Sequence, residues 1–528
     1  MTRTPPRPAA IRSRTVRVEG RDGVAAQALA AALLDDPLPG LLDVVPGYAS
    51  VHVESDGDVL PDAVLEARLA TAAGRATAPA GRAVRVPVRY DGPDLAPVAD
   101  ALDLSVADVI ARHAAPTYRV AALGFTPGFP FLTGLDPTLV LPRRARPRAR
   151  VPAHAVAIAD AQTGIYPAPS PGGWHLLGTA LEAAYAPTRA EPFLVGPGDT
   201  VRFEPADGPT PPDPAPLALR PETPAHPRLE VLEAGLADLV VDAGRPLAGR
   251  YGLARGGPLD APAAVRALRA VGTPAGAPLL EVTAAGPRLR VLDDVVVAFA
   301  GGGVRPLRNG VPWPEGTAVA LRRGDVLHLA PGAPGARGYL ALAGGLASGT
   351  FLGSASVDLR GRIGRPLAAG DVLGVAAPHR ARPGYAVRAF APPPAPGGVT
   401  PLRLLPGPHP DPDAVAALLA GRFVVRTGDR TGVRLAGPVV PGGQGTSEGT
   451  PLGAVQVPPD GAPTILLHDR GSLGGYALPA RLHPADVPRA AQLRAGDVVR
   501  FTAAAGAVGA PRRGVTRSRR PPAGGRAN

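Results

Sequence analysis

Short alternating runs of hydrophobic and polar residues mark the start of the chain: Thr15–Gly20 (TVRVEG), Ala49–Ser55 (ASVHVES) and Ala83–Tyr90 (AVRVPVRY). A period of two puts alternate side chains on one face, so each run predicts a half-buried strand. Between them, Val24–Leu34 and Pro61–Ala73 carry apolar residues at helical spacing, and residues 15–90 read as a small α+β unit. Asp94–Ala115 keeps a spacing near 3.6 and predicts one more helix.

From Tyr118 to Phe203 the pattern changes to short runs punctuated by Gly and Pro, which predicts a small β-barrel. Pro205–Pro227 has the composition of a semi-rigid linker, and a second Pro-rich seam runs from Pro378 to Val399. A Gly-Asp pair leads into an apolar strand four times, at Gly198 (GDTVRF), Gly324 (GDVLHL), Gly370 (GDVLGV) and Gly496 (GDVVRF). Gly-Asp supplies a tight turn, so the repeat predicts related barrel-like units, each closed by the same hairpin.

Composition narrows the chemistry more than the fold. With 45% hydrophobic and 19% charged residues the 528-residue chain reads as globular, long enough for several cores. It has no cysteine, which excludes disulfides, thiolate nucleophiles and Cys-ligated metals. It also has no lysine: all 56 basic residues are Arg, which excludes a P-loop lysine and a Schiff base. Any anion must therefore be held by Arg, backbone N–H groups, hydroxyls or a metal. Half of the net charge of +12 sits in an acid-free tail with Arg512, Arg513, Arg517, Arg519, Arg520 and Arg526. Signs elsewhere are mixed, so neither nucleic acid nor membrane is expected as a partner. The opening MTRTPPRPAAIRSR lacks an apolar segment, and a cytoplasmic location is expected.

Four segments are dense enough in polar residues to carry chemistry. Gly124–Leu135 (GFTPGFPFLTGL) and Ile158–Gly178 combine stiff Gly/Pro loops with Gln162, Thr163, Tyr166, Ser170, Trp174 and His175, and the intervening run adds Arg143, Arg144, Arg146, Arg148 and Arg150. Such loops present backbone N–H groups and guanidinium forks to anions. Ser447–Ala480 holds Ser447, Glu448, Gln456, His468, Asp469, Arg470 and Ser472. Ser447, His468 and Asp469 are triad types, but adjacent His and Asp in a strand face opposite ways and no G-x-S-x-G elbow is present, so a polar-ligand site is preferred. Val240–Asp260 contributes Asp242, Arg245 and Asp260 among glycines, and Gly428–Gly437 contributes Asp429, Arg430 and Arg434. The ten His residues are scattered, without HxH or HExxH spacing, and no metal ligand is assigned; His113 ends a helix and reads as a cap or a packed side chain.

These strings together resemble two known families placed end to end. GFTPGFPFLTGL, PRRARPRARVP, QTGIYPAPSPGGW and the Arg112-His113 helix end, within residues 15–205, resemble the KipI-like family, also called allophanate hydrolase subunit 1 or the B-type subunit of 5-oxoprolinase. DAGR, LEVTAAGPRL, YLALAGGL, LGSASVDLRGRIG, DRTGVRLAG, GAVQVPPDGAP and DRGSLGGY, within residues 228–504, resemble the KipA-like family, allophanate hydrolase subunit 2 or the C-type subunit of 5-oxoprolinase. The resemblance implies a mainly β chain of tandem cyclophilin-like barrels. Its expected divisions are a disordered leader (1–14), the α+β unit (15–90), a barrel (91–205), the linker (206–227), two further barrels (228–395 and 396–505) and a disordered Arg-rich tail (506–528).

The resemblance further implies an ATP- and Mg²⁺-dependent hydrolase opening 5-oxoproline to glutamate with a LamB/YcsF-type partner subunit, homo-oligomerisation being left open. Two alternatives come with it: the carboxyltransferase part of a urea carboxylase-like biotin system, and a KipI/KipA-type regulator of a sensor kinase. By resemblance and loop chemistry, Asp242, Arg245, Asp260, Asp469 and Arg470 are the expected catalytic residues, and Arg150, Gln162, Tyr166, Ser170, Trp174, Asp429, Arg430 and Gln456 the expected substrate or ATP contacts. The chain departs from the family patterns at His154 (Gly in V-P-A-G-S), Thr179 (Arg in G-R-T), Val241 (Gln), and Leu268 and Thr273 (Asn).

Overall fold

The computed structural model describes residues 11–18, 23–75, 81–377 and 398–504. The N-terminal unit is a three-stranded antiparallel sheet, ordered Ile11–Arg17, Ser50–Asp56, Leu41–Pro46. Helices Val24–Leu34 and Asp62–Arg75 cover it, and Ala26, Leu29 and Leu33 from the first and Leu65 and Leu69 from the second bury against Val44, Val51 and Val53. Residues 11–14, expected in the leader, belong to the first strand, which pairs in register from Ile11 opposite Asp56. The rest of the leader, the seam at 378–397 and the tail beyond 504 lie outside the described residues. No helix among the described residues is long and apolar enough to cross a membrane.

The expected helix over Asp94–Ala115 is two helices, Leu95–Ala101 and Val106–Ala114. Asp103 takes a left-handed conformation (φ 54°), and Ser105 opens the second helix through a capping box with Asp108, whose N–H donates to the Ser105 hydroxyl at 3.0 Å. The cap is worth about 1 kcal/mol, enough to restart a helix at that position.

Two closed seven-stranded barrels follow the same plan. The first runs His175–Ala180, Ala83–Arg89, Thr200–Pro205, Tyr118–Leu123, Pro130–Thr133, Gln162–Ile165, Ala155–Ala159 and back to the start. The last runs Leu473–Leu482, Val399–Pro406, Val498–Ala503, Arg422–Gly428, Gly432–Ala436, Thr464–Leu466, Ala454–Val457 and back. In each, the first and last strands in sequence pair in parallel. Inward residues fill both, Val86, Val120, Ile165 and Phe203 in one and Leu402, Phe423, Ile465 and Phe501 in the other. The last barrel carries one extra strand, Gln444–Gly449, paired along Leu473–Leu482.

Between them, a six-stranded and a five-stranded sheet enclose one core with helix Ala261–Ala270, from which Ala263, Ala267 and Leu268 pack among Leu229, Leu289, Phe299 and Leu340. The four Gly-Asp pairs make one turn. Each glycine has φ between 87° and 92°, and each aspartate accepts from the backbone N–H three residues earlier at 2.7–2.8 Å (Gly196, Arg322, Ala368, Arg494). A φ near +90° at the third turn position is glycine territory. Two copies launch the closing strands of the two barrels, and two launch strands of the six-stranded sheet.

The chain between the first barrel and the middle unit lies against the latter: Leu219 is buried, its carbonyl accepts from Gly349 N–H at 2.6 Å, and Arg362 donates to the Pro214 carbonyl at 2.6 Å.

Candidate active-site cleft

The first and last barrels face each other across a cleft of about 550 Å³. Phe125, Phe129, Phe131, the Arg143–Pro147 loop, Tyr166 and Pro171–Trp174 form one wall, and Gln444, Ser447, Thr450, Gln456, Leu466 and Gly471–Tyr476 the other; Arg360 enters from the middle unit. Close approach depends on glycine at two points. A Cβ on Gly124 would stand 2.5 Å from the Leu473 side chain of the opposite barrel, and one on Gly172 would meet the Tyr166 hydroxyl at 2.3 Å.

Phe129 sets the aromatic wall, with Tyr166 and Trp174 edge-on to it at 5.1 and 5.3 Å between centroids. Phe125, 37% exposed and left-handed at φ 64°, adds its ring at 5.6 Å from Phe129. Non-glycine residues in that conformation cost about 1–3 kcal/mol and cluster at functional sites.

Among the described residues the lining contains three guanidiniums and no carboxylate. Arg144 donates to Asp94 at 2.9 Å and Arg143 stands 3.4 Å from Asp160, whereas Arg360 donates to the Phe125 carbonyl at 2.6 Å and the Asp469 carbonyl at 3.4 Å. Burial would raise the Asp94 carboxyl, but hydrogen bonds from Arg148 and the Leu176 N–H bring it below its ordinary value. A second cavity of about 440 Å³, lined by Ile11, Leu259, Leu452 and Val487 with Arg12, His468 and His483, is mostly apolar and contains none of these loops. The chemistry therefore points to the interbarrel cleft.

Buried charge holds the units together beneath it. Arg430 forks onto Asp469 at 2.7 and 3.0 Å, pairs with Glu281 of the middle unit and donates to the Gly257 carbonyl at 2.8 Å. Arg470 pairs with Glu54 of the N-terminal sheet and donates to the Thr450 carbonyl at 2.7 Å. Burial works to raise Glu54, yet Arg470 and His52 hold it well below the carboxylate range. His468 is kept neutral by burial and by Arg255, Arg430 and Arg470 nearby. Asp43, in the same junction, goes the other way: burial and then Glu54 push it up to about 7 against Arg470.

Of the sequence-expected residues, Tyr166, Trp174 and Gln456 line the cleft, and Ser170 is half-buried on the strand that continues into its wall. Arg150 is exposed on Arg148–Val151 and Gln162 half-buried on its barrel strand, both outside the lining. Asp429 is spent on a turn, accepting from Thr431 and Gly432 N–H at 2.7 and 2.9 Å.

Arg430, Asp469 and Arg470 form the buried network instead of facing the cleft. Asp242 accepts from the Ser354 and Ser356 hydroxyls at 2.6 and 2.7 Å, Arg245 is fully buried on the carbonyls of Phe351 and Ser356, and Asp260 caps helix Ala261–Ala270 and accepts from Gln492 at 2.8 Å. A guanidinium saturated by carbonyls and a carboxylate saturated by hydroxyls stabilise loops and are closed to substrate. Ser447, His468 and Asp469 do not assemble as a triad, because Asp469 is taken by Arg430. His113 is packed in the first barrel, hydrogen-bonded to Tyr90 and Thr163 at 2.8 Å each, and burial lowers it to about 3.

Sequence reasoning did not single out Phe125, Arg360, Gln444 or Tyr476. Each lies within or beside a Gly-rich string, but only the fold brings those strings to one cleft. The positions that depart from the family patterns stand elsewhere: Val241 and Leu268 in the middle core, Thr273 on the Leu342 carbonyl, Thr179 on Asp91 at 2.9 Å, and His154 in a buried left-handed turn with φ 67°.

Two domain models match the chain: the carboxyltransferase domain, subdomains C and D, over residues 10–195, and the carboxyltransferase domain, subdomains A and B, over residues 251–503. The chain belongs to this carboxyltransferase-domain family. More particularly, it joins a half similar to the B-type subunit of 5-oxoprolinase with a half similar to the C-type one. It is 40% identical to the B-type 5-oxoprolinase subunit of Escherichia coli O157:H7 over 182 residues (34% of this chain, 83% of that protein). It is 31% identical to the C-type 5-oxoprolinase subunit of Escherichia coli K12 over 286 residues (52% and 90%). The crystal structure of TTHA0988 superposes with a TM-score of 0.89 at 55% identity, covering 93% of this chain and 100% of that one.

Proposed function

We propose that this chain is the fused B- and C-type part of an ATP-dependent 5-oxoprolinase, opening 5-oxoproline to glutamate with a LamB/YcsF-type subunit as partner. The observation that carries the reading is the acid-free, arginine-lined cleft built jointly by the two halves. 5-Oxoproline is a small anion, a carboxylate on a five-membered lactam. Guanidinium suits the carboxylate. The side-chain amides of Gln444 and Gln456 offer donors and acceptors complementary to the lactam C=O and N–H. The Phe129, Tyr166 and Trp174 rings pack against the methylenes and displace water.

Ring opening consumes one water and the coupled ATP hydrolysis another, so 5-oxoproline, ATP and two waters give glutamate, ADP and phosphate. A nucleotide does not fit the cleft itself. Two of its three guanidiniums already face a carboxylate, and among the described residues no carboxylate lines it to hold Mg²⁺. Nucleotide chemistry is therefore assigned to a site shared with the partner subunit, while this chain binds and orients the lactam and shields it from bulk water.

The test is glutamate formation from 5-oxoproline by this chain mixed with the LamB/YcsF-type subunit of its own organism, ATP and Mg²⁺. Only the complete mixture is expected to yield glutamate. Activity without ATP, or none from a folded complex of the two proteins, refutes the reading. A second reading, carboxyl transfer, is favoured by the carboxyltransferase models matching both halves. Its test is carboxyl transfer from a carboxylated biotin carrier to urea.

A further inference from the structure

We propose that Arg360 is the anchor for the substrate's carboxylate in the interbarrel cleft, an inference that rests on the 5-oxoprolinase reading for the identity of the substrate only. The three lining guanidiniums differ in what faces them. Arg144 is hydrogen-bonded to Asp94 and Arg143 lies 3.4 Å from Asp160, so each has an acid beside it. Arg360 meets only neutral carbonyls, Phe125 O at 2.6 Å and Asp469 O at 3.4 Å, and no carboxylate pairs with it among the described residues. Among the described residues, its charge is the one in the lining left without a counter-ion.

Geometry makes that charge usable. The two carbonyls come from opposite sides, one from the first barrel and one from the last, so the guanidinium is fixed before any ligand arrives. Of its five N–H donors, two are engaged. The Phe125 carbonyl is presented by a left-handed residue, and Asp469 is held by the fork from Arg430. Gly471 lies beside the guanidinium: a Cβ there would be in ordinary contact with the Phe125 carbonyl at 3.7 Å and Arg360 Nη1 at 3.9 Å, and crowd only the Leu473 carbonyl at 3.2 Å. One unpaired cation beside aromatic rings matches one carboxylate on a small lactam ring. The several charges of a polyphosphate would exceed it.

The experiment titrates the full-length chain, without partner or ATP, with 5-oxoproline, with 2-pyrrolidinone (the same lactam without its carboxylate), with pyrrole-2-carboxylate and with inorganic phosphate. Trp174 fluorescence and calorimetry read binding, and thermal midpoints verify folding of each variant. Arg360→Gln is expected to weaken 5-oxoproline binding by about tenfold or more while leaving 2-pyrrolidinone unchanged. Arg360→Lys is expected to recover part of the loss. Equal 5-oxoproline affinity in wild type and Arg360→Gln overturns the anchor while leaving the proposed function standing. Arg360-dependent binding of pyrrole-2-carboxylate without binding of 5-oxoproline sustains the anchor and overturns that function. Arg360-dependent binding of phosphate alone, or no carboxylate bound by the wild type, overturns the anchor.

Discussion

Replacing Asp43 by Asn should stabilise the protein, and increasingly so as pH rises. The carboxyl is 5% exposed where the N-terminal sheet meets the middle unit, and its Oδ1 accepts from the Val44 and Gly249 N–H groups at 3.0 and 3.1 Å. Asn keeps that acceptor and removes the charge. Burial and the neighbouring Glu54 push Asp43 from 3.8 up to about 7 against the opposing pull of Arg470. A carboxyl raised on folding contributes stability that is complete below its unfolded value and is lost as pH rises through the folded one. Each unit is worth about 1.4 kcal/mol, so the advantage of Asn should grow by about 2–3 kcal/mol between pH 5 and pH 8 and level off above that. Asp238, raised to about 6 by burial, is common to both proteins and cancels in the comparison. Thermal unfolding of the two proteins across this range reads the difference, and the gap in midpoint should widen by several degrees. A gap that is constant with pH, or that shrinks as pH rises, would refute the reasoning.

Arg470→Met should cost about 3–5 kcal/mol by leaving Glu54 buried without its partner, and adding Glu54→Gln should recover much of that loss; denaturant titration of the double-mutant cycle checks the coupling. Trp174→Ala removes a ring packed on Phe129 and Phe131 and should cost about 3–5 kcal/mol together with substrate affinity, read by thermal midpoint and by KM for 5-oxoproline. His154→Gly restores the family residue at a left-handed position outside the cleft, and kcat/KM for 5-oxoproline should stay within about twofold of wild type.

The elements with one clear periodicity were readable from the chain: helix Val24–Leu34 has the expected bounds, and the alternating runs at Ser50–Asp56 and Ala83–Arg89 are strands. The Gly-Asp pairs were legible because turn chemistry is local; a φ near +90° and an aspartate reaching back three residues need no tertiary information. Strand Leu41–Pro46 was not, since five of its six residues are buried and alternation vanishes. The break at Asp103 was masked because apolar spacing continues in phase across it.

For the cleft, residue type identified loops able to bind an anion but could not say which polar groups would be spent internally. Arg245 and Arg360 are the same residue in similar Gly-rich surroundings, yet one is saturated by buried carbonyls and the other stands in the lining. Long-range contacts decide that difference. Asp469 and Arg470 likewise carry the chemistry of a catalytic pair, and only the approach of Arg430 and Glu54 from distant segments commits them to the junction.

If 5-oxoproline is opened in the cleft between the two barrels, a side chain that fills the cleft should stop the reaction. Gly173 lines it with an ordinary backbone conformation, and a Cβ there would meet Pro147 and Arg144 at 3.7 and 3.8 Å, normal contact distances. Gly173→Leu therefore adds bulk to the lining from a Cβ position that meets its neighbours at ordinary contact distances. Glutamate formation by the complete mixture of chain, partner, ATP and Mg²⁺ should fall by about tenfold or more with an unchanged thermal midpoint. Wild-type activity from a folded Gly173→Leu protein would place the reaction elsewhere and contradict the account.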